Sequence, residues 1–535
     1  MSGTDARKRS GPGRREARAM QEIKEKRKTR ITAIIVIAIM LLLFLGAMLI
    51  NSKYFRRVMT AITIDGVSFS AAEFDYFYNN AVFEYSSLVN EQMGDYASEY
   101  LPSNERPHSS QIYNLDTGET WSSFYGGIAV ERLSELVSYH NDAVSNGYVM
   151  TAETKQNVDD EIANLKLTSE YYGYSSFDAF LQEMYGSSIN EKTFRKIAEF
   201  LDTIAAYTEY VHASFSYSAA DLTEYYDENR DELDIYSYRY LLIYADDVDE
   251  EEYDSTDEYE AAKDEALADV LAKAADIADR VQSEEDFIEA ARAYDEEAYE
   301  DDDSTLHEYQ GELISKFVYF DWISDAQREY GDTESFEIGS GAYILFYVSR
   351  DSNDYRLVEM RQLLFLRQEL DMDDFYDYDD LVTEEYFFDH EAYDEAFELV
   401  DSMARARAWD AYDLFVDGGA TEELLLELMV EHTDDSTEGG LYTDISRYSS
   451  QNRLVPEIEN WLFDPERQVG DYELIFTQDF GYHIVFFMGF GERYSDFMSE
   501  SRMRDRDYTQ WHDNLPEVQN TQHWGMILTQ KRTKS

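Results

Sequence analysis

The feature that most constrains the fold is an internal repeat in the second half of the chain. Trp322 and Trp461 each begin the pattern Trp-x-x-Asp-x-x-Arg-x-x-Gly-Asp. Two further blocks recur in the same order around this pattern: YRYLLI at 238–243 with MRQLLF at 360–365, and YILFY at 343–347 with HIVFF at 483–487. Three similar blocks in one order indicate two related domains, which we place at residues 236–350 and 356–492.

The second copy has the pattern of a small α/β unit. Gly439-Gly440 and Gly470-Asp471 are turn signals, and apolar residues at helical spacing lie between them. Residues 482–488 form a short, almost wholly apolar run, which predicts a buried strand. His483 is the ionisable group in that strand, and the residues alone leave it either a core histidine or a functional one.

The order of these motifs resembles the second half of a parvulin-type peptidyl-prolyl isomerase domain. GGLY, LVPEIENWLF, VGD and FGYHIVFF follow one another as the Gly-Gly turn, helix, Gly-Asp turn and closing Gly-Tyr-His-Ile strand of that family do. The resemblance implies an active site containing Asp435 and His483. Gln362 stands where the family usually carries a histidine on the first strand, so it completes the implied catalytic set.

The same resemblance implies a pocket for the proline ring. Its lining residues would be Leu454, Ile458 and Tyr482, with the first two where the family usually has Met and Phe. In the first copy the two histidine positions are occupied by Tyr240 and Tyr343, and no Gly-Gly turn precedes its Trp block. We therefore interpret residues 236–350 as a degenerate parvulin-like domain that serves binding or spacing.

The first half of the chain is predicted to be largely helical. Asp65-Gly66 is a turn after a short strand, and Ser70 with Glu73 forms a capping box that begins a helix. Further helix starts are predicted at the N-caps Thr151, Ser176, Asn190 and Ser218, while residues 101–120 are polar and predict a loop.

Residues 61–235 resemble the chaperone domain of SurA- and PrsA-type foldases. The similarity lies in the opening strand, turn and capped helix, and in the phrase GYSSFDAFLQEMYGSSINEKTFR. We interpret residues 493–535 as a helical C-terminal tail. In the resembled foldases such a segment packs back onto the N-terminal chaperone domain.

A transmembrane helix is predicted at residues 31–50. This run of twenty residues carries no charge, and at about 1.5 Å per residue it matches a hydrocarbon core of about 30 Å. Residues 1–30 carry eleven Lys/Arg and four Asp/Glu, so the positive-inside rule places this basic segment in the cytoplasm. The alternative is a buried helix of a soluble domain, which the absence of any polar face disfavours.

Composition excludes several classes of site and partner. The chain has no cysteine, which excludes disulfides, thiolate metal sites and an acylated lipoprotein anchor. The whole-chain charge of −67 leaves −74 on residues 31–535, which repels nucleic acid. No GxSxG, HExxH, P-loop or GxGxxG pattern is present, and the nine histidines show no ligand spacing. We therefore expect no cofactor and no metal.

Together these features predict an α+β protein with one transmembrane helix at residues 31–50, a helical chaperone domain and two parvulin-like domains. The predicted function is that of an extracytoplasmic, membrane-anchored folding factor. It would bind unfolded or secreted polypeptides and weakly catalyse cis–trans isomerisation of X-Pro bonds. The alternatives are a non-catalytic holdase or scaffold, which the missing first histidine favours, and an acidic envelope surface protein, which charge alone supports.

The predicted topology has a direct test. Because residues 31–50 would span the membrane with the basic flank inside, protease added to intact cells is expected to remove nearly everything after residue 60. Immunoblotting with antibodies against the C-terminal part measures this loss. Protection of the large domains in intact cells, with digestion only after lysis, would contradict the predicted orientation.

Overall fold

The structure is a computed structural model with mixed helices and small antiparallel sheets. It describes residues 26–28, 30, 32–42, 52–103, 105–249, 252–379, 385–447 and 454–529. Most of the predicted basic segment at 1–30 lies outside these residues, as do residues 31 and 43–50 of the predicted transmembrane segment at 31–50, while residues 32–42 are helical. Within the described ranges, no helix combines the length and apolar character needed to cross a bilayer. The span at 31–50 therefore stays a prediction.

The strands, in chain order, are β1 (Thr60–Ile64), β2 (Val67–Ser70), β3 (Ile112–Asn114), β4 (Glu119–Thr120), β5 (Ile235–Tyr244), β6 (Leu306–Gln310), β7 (Thr333–Ile338), β8 (Gly341–Asp351), β9 (Arg356–Leu366), β10 (Tyr376–Asp379), β11 (Glu385–Phe388), β12 (Leu441–Ile445), β13 (Tyr472–Thr477), β14 (Gly481–Arg493) and β15 (Asn520–Gln522).

The α-helices are α1 (Lys53–Val58), α2 (Ala71–Met93), α3 (Ala97–Tyr100), α4 (Trp121–Ser145), α5 (Ala152–Tyr171), α6 (Phe177–Met184), α7 (Glu191–Ser214), α8 (Ala219–Glu228), α9 (Arg230–Leu233), α10 (Thr256–Arg280), α11 (Glu284–Tyr294), α12 (Gly311–Ile314), α13 (Phe320–Ile323), α14 (His390–Asp417), α15 (Glu422–His432), α16 (Pro456–Leu462), α17 (Tyr494–Asp513) and α18 (Met526–Thr529).

Contacts divide the chain into two compact units. The first comprises residues 1–215 and 506–535, and the second comprises residues 216–505. This division differs from the predicted chaperone domain at 61–235, because α8 and α9 belong to the second unit. The first unit also takes in residues 506–535, which are part of the predicted C-terminal tail at 493–535.

The first unit has a helical core and one small sheet. β1 and β2 form a hairpin whose turn residues Asp65 and Gly66 have φ of 39° and 88°, the conformation that a tight two-residue hairpin requires. β15 pairs with the other edge of β1, so the sheet joins residues 60–64 to residues 520–522. Ser70 and Glu73 form the predicted capping box at the start of α2.

The helices of the first unit begin where the sequence predicts. Thr151, Ser176 and Asn190 each accept a hydrogen bond from the backbone N–H three residues later. The prediction of a plain loop at residues 101–120 was incomplete, because this segment contains a short helix at His108–Ser110 and the β3–β4 hairpin. Such short strands carry too little alternation to be recognised in the sequence.

The second unit contains two four-stranded antiparallel sheets of the same topology. Their strand orders are β6-β5-β8-β7 and β12-β9-β14-β13. One face of the first sheet packs on α10 and α11, and one face of the second sheet packs on α14 and α15. The opposite faces carry the segments with Trp322 and Trp461. The three blocks that repeat in the sequence therefore lie at corresponding places.

The repeated Trp-to-Asp pattern forms the same turn in both copies, at residues 322–332 and 461–471, and we call this turn the corner. The Arg328 guanidinium lies 4.4 Å from the centroid of the Trp322 ring, and Arg467 lies 4.0 Å from that of Trp461. Each arginine Nε also donates to the backbone carbonyl of its tryptophan, at 2.9 and 3.0 Å. A cation–π contact and a hydrogen bond to one residue explain why the spacing from Trp to Arg is the same in both copies.

A second equivalence was not apparent from the sequence. Arg239 Nε donates to Glu284 at 2.7 Å, and Arg361 Nε donates to Glu422 at 2.8 Å. Both arginines lie at matching positions of the central strands, and both glutamates follow directly after a helix N-cap, so the pair ties a strand to a helix start in each copy. Arg361 and Glu422 are 61 positions apart, so this ion pair cannot be recognised from a local sequence pattern.

The glycine in the corner generates a stability prediction. Gly470 has φ of +94°, and its N–H donates to the Phe487 carbonyl at 2.9 Å. Gly470→Ala is expected to destabilise the second unit by about 1–2 kcal/mol, because an L-residue is strained at this φ. Urea unfolding of the full chain, followed by circular dichroism, measures the change.

The matched control is Gly339→Ala in the same unit. Gly339 has no positive φ, and an added Cβ would meet no atom within 4 Å. Its replacement is expected to change the free energy of unfolding by less than about 0.5 kcal/mol. Equal effects of the two substitutions would show that the corner does not require the left-handed conformation.

Candidate functional site

The candidate site is built on the two central strands of the second sheet. β9 and β14 are antiparallel, and His483 lies directly opposite Leu364. Gln362 precedes Leu364 by two residues, so its side chain is on the same face of the sheet as that of His483. The pairing therefore places two residues that are 121 positions apart in the sequence in diagonal contact.

A chain of hydrogen bonds runs through these side chains. Gln362 Nε2 donates to Asp435 Oδ2 at 2.8 Å, so its Oε1 faces His483 Nδ1 at 3.0 Å. The amide oxygen can only accept, so Nδ1 carries the imidazole proton. His483 Nε2 then accepts from the Thr477 hydroxyl at 2.9 Å. Each donor in this chain is therefore assigned. Thr477 donates to His483, His483 donates to Gln362, and Gln362 donates to Asp435.

Asp435 and Tyr442 form the half-buried end of this chain. The Tyr442 hydroxyl donates to Asp435 at 2.9 Å and accepts from Gln362 Nε2 at 3.1 Å. Thr437 adds two bonds, from its N–H to Asp435 Oδ1 at 2.8 Å and from its hydroxyl to Tyr442 at 2.9 Å. Asp435 and Tyr442 are thus the members that solvent can reach, and both are held by several hydrogen bonds.

His483 is neutral in this environment. Its side chain is 3% exposed, and burial lowers its pKa to about 4, with a smaller opposing influence from the Asp435 carboxylate. Burial also raises the pKa of Tyr442, which keeps its hydroxyl protonated. The imidazole therefore acts as a neutral hydrogen-bond bridge near pH 7.

Two of the three predicted pocket residues lie on the same face as His483. Ile458 is buried on α16 in the apolar cluster with Val485 and Phe487, and Leu454 packs against this cluster. Tyr442 packs against it as well, so the polar chain and the apolar cluster adjoin. Ile458 is 2% exposed, so it packs under the half-buried Leu454 and Tyr442 and is not itself open to a ligand.

Tyr482 does not join this group. It precedes His483 by one residue in β14, so its side chain faces the opposite side of the sheet. There it packs with Leu363 and Phe365 against α14 and α15, and its hydroxyl donates to Asp401 at 3.3 Å. The assignment of Tyr482 to one pocket with Leu454 and Ile458 is therefore corrected.

The first sheet has aromatic residues at the corresponding positions. Leu242 pairs with Tyr343 as Leu364 pairs with His483, and Tyr240 corresponds to Gln362. The rings of Tyr240 and Tyr343 meet edge to face with centroids 5.8 Å apart. His307 occupies the position of Tyr442 and stacks on Tyr240 at 4.2 Å. An aromatic cluster thus replaces the polar chain in the first copy.

The sequence-based assignment missed Thr477, Thr437 and Tyr442. Thr477 ends β13 and is 1% exposed, on the same face as Ile475. The alternation of residues 474–477 would have placed Thr477 on a sheet face, but nothing local relates it to His483. Tyr442 pairs with Met360, and this follows only from knowing that β12 lies beside β9.

The arrangement offers a carboxylate and a phenol hydroxyl beside an apolar surface. Such a set can orient a polar group of a bound chain, and it holds no nucleophile next to a charged base. Among the described residues, no group of three or more His, Asp or Glu side chains could hold a metal ion.

The buried imidazole predicts a specific pH dependence. The ordinary histidine pKa is about 6.5, so the unfolded chain binds this proton first as the pH falls. Stability from burying neutral His483 is complete above pH 6.5 and is lost towards pH 4. Between pH 6.5 and 5 the free energy of unfolding is expected to fall by about 1.5 kcal/mol through this residue.

The measurement is urea unfolding at pH 6.5 and pH 5 of the wild type, His483→Gln and the control His432→Gln. His432 is partly exposed at the end of α15. The His483 variant should lack this part of the pH dependence, while the control should keep it. Identical pH dependence in all three proteins would show that His483 is not held neutral by burial.

Comparison with known proteins gives a distant structural similarity. No protein-family model matches the chain, and no curated protein matches it. Among solved structures the chain is similar to the crystal structure of PrsA from Bacillus subtilis, with 11% identity over 62% of this chain and 96% of that one. The TM-score is 0.15, a level at which a similarity does not assign a fold or a function.

Proposed function

We propose that this protein is a folding factor that binds extended polypeptide segments and weakly accelerates cis–trans isomerisation of their X-Pro bonds. The observation that supports this proposal most is the hydrogen-bonded chain from Thr477 through His483 and Gln362 to Asp435, which adjoins an apolar cluster on one sheet face. The motifs that resemble a parvulin domain supply His483, and the same resemblance implies the places of Asp435 and Gln362.

Isomerisation needs no covalent step. The barrier of about 18–20 kcal/mol arises because the amide loses resonance when it twists. A catalyst must bind the twisted amide more tightly than either planar form. An apolar surface near Leu454 would hold the proline ring, and the half-buried Asp435 and Tyr442 would face the amide.

In this proposal His483 and Gln362 are positioning residues. Both are buried, at 3% and 8% exposure, so they act on the substrate through Asp435 and Tyr442. The neutral imidazole holds Gln362 Oε1, and the amide nitrogen then faces the carboxylate. In the resembled family two histidines usually link the two central strands. Here the uncharged Gln362 makes this link by its hydrogen bond with His483.

A second candidate function is binding without catalysis. The aromatic cluster of Tyr240, Tyr343 and His307 in the first copy favours it, since this copy lacks the polar chain altogether. Both copies would then hold client segments on corresponding faces, and His483 would be a core histidine.

We further propose that the protein is anchored by residues 31–50 with its main domains outside the cytoplasm. The uncharged run and its flank of eleven Lys/Arg support this location. Clients would then be secreted polypeptides, and the acidic chain would favour those with positive charge.

The enzymatic proposal is tested by Asp435→Asn and His483→Ala in the full chain. Each is expected to lower kcat/KM for a short X-Pro peptide by roughly tenfold, about 1–2 kcal/mol, because polar groups supply only part of the barrier reduction. A protease-coupled isomerisation assay measures the rate. Suppression of client aggregation should be unchanged in both variants.

The matched control is Asp444→Asn. Asp444 is exposed on β12 with φ of +53°, a conformation that Asn adopts readily, and it is not among the hydrogen-bond partners of Asp435, Gln362 or His483. Its replacement should leave the isomerisation rate unchanged. If the wild type gives no rate above the spontaneous one, with a time constant of about 10–100 s, the binding-only function replaces the enzymatic one.

A further inference from the structure

A cavity in the first unit differs in charge from the rest of the molecule. It has a volume of about 870 Å³ and lies between α2, the start of α4 and the loop residues 101–103 and 106–111. None of the described residues that line it is Asp or Glu, although the chain has 112 of them among 535 residues. The nearest acidic residue along the loop, Glu105, is not part of the lining.

The lining combines one cation with neutral hydrogen-bonding groups and apolar surface. Arg106 supplies the cation, and Ser86, Asn90 and Ser103 are among the neutral polar groups. Leu101 and Trp121 are among the apolar ones. Each of the three other cavities described in this chain includes at least one carboxylate in its lining.

The wall that carries Arg106 is fixed by a buried side chain. Gln111 is 7% exposed, and its amide donates to the carbonyls of Ser103 and Arg106, both at 3.0 Å. Its Oε1 accepts from the Ser103 N–H at 2.8 Å, and its carbonyl accepts from the Trp121 N–H at 3.0 Å. These bonds tie the loop to itself and to α4, so the cavity is formed before any ligand binds.

Arg106 is the lining group with donors left for a ligand. It makes no ion pair with any described carboxylate, and its one side-chain hydrogen bond among the described residues, to Gln111 Oε1, is long at 3.5 Å. A guanidinium carries five N–H donors, and Arg106 is exposed, so its fork is accessible to an anion that enters the cavity.

We propose that this cavity binds the C-terminal carboxylate and the last side chain of a polypeptide. The guanidinium of Arg106 would pair with the carboxylate, for which its planar donors are suited. The neutral hydroxyls and amides match the donors and acceptors of a peptide backbone, and the apolar part of the wall accepts an aliphatic side chain. The volume lies within the range of about 300–1,000 Å³ that is usual for small-ligand sites.

The probe is N-acetyl-Ser-Ala-Leu with a free C-terminal carboxylate, compared with the same peptide as its C-terminal amide. The peptide contains no proline, so the outcome does not depend on the isomerase proposal. Isothermal titration calorimetry of the full chain is expected to show the acid binding about tenfold more tightly than the amide, since one charge-assisted bond is lost. Equal affinities, or no binding of the acid at millimolar concentration, would overturn the proposal.

Two charge-matched variants locate the interaction. Arg106→Gln should reduce the affinity for the acid to that for the amide. Lys155→Gln removes the same charge from an exposed position on α5, away from the cavity lining, and should leave both affinities unchanged. Equal losses in the two variants would show a non-specific charge effect, and displacement of the peptide by equimolar inorganic phosphate would assign the site to a free anion.

Discussion

The pairing of the two central strands is the constraint on which the second unit depends. Each strand of the β9–β14 pair is buried on both faces, with one apolar cluster against α14 and α15 and another around Trp461. A slip of one residue would exchange the two faces, placing His483 in the helix-facing cluster and Tyr482 in the polar chain. The apolar side chains on both sides therefore select the register, and this register brings Gln362 to His483.

The sequence was sufficient wherever the determining interactions are local. N-caps at Thr151, Ser176 and Asn190, the capping box at Ser70 and the glycine turns depend on residues a few positions apart, and the structure has them as predicted. The three repeated blocks also lie at matching places, because the Trp–Arg contact and its glycine require a constant spacing.

The candidate site was only partly accessible from the sequence, for a physical reason. Asp435, Gln362 and His483 were grouped through the family resemblance, since no periodicity relates positions 121 residues apart. Thr477 and Tyr442 were missed because their places depend on which strands are neighbours. The error at Tyr482 was avoidable, as adjacent residues of a strand face opposite sides of the sheet.

The pairing of β15 with β1 has a consequence for the order in which the molecule can be completed. β1 ends at residue 64 and its partner begins at residue 520, so one edge of β1 stays unpaired until residues 520–522 have been synthesised. The second unit, which lies between these residues, can form during that interval. An open strand edge is a site for pairing with other chains, so the emerging protein can pair wrongly through β1 until residues 520–522 are available.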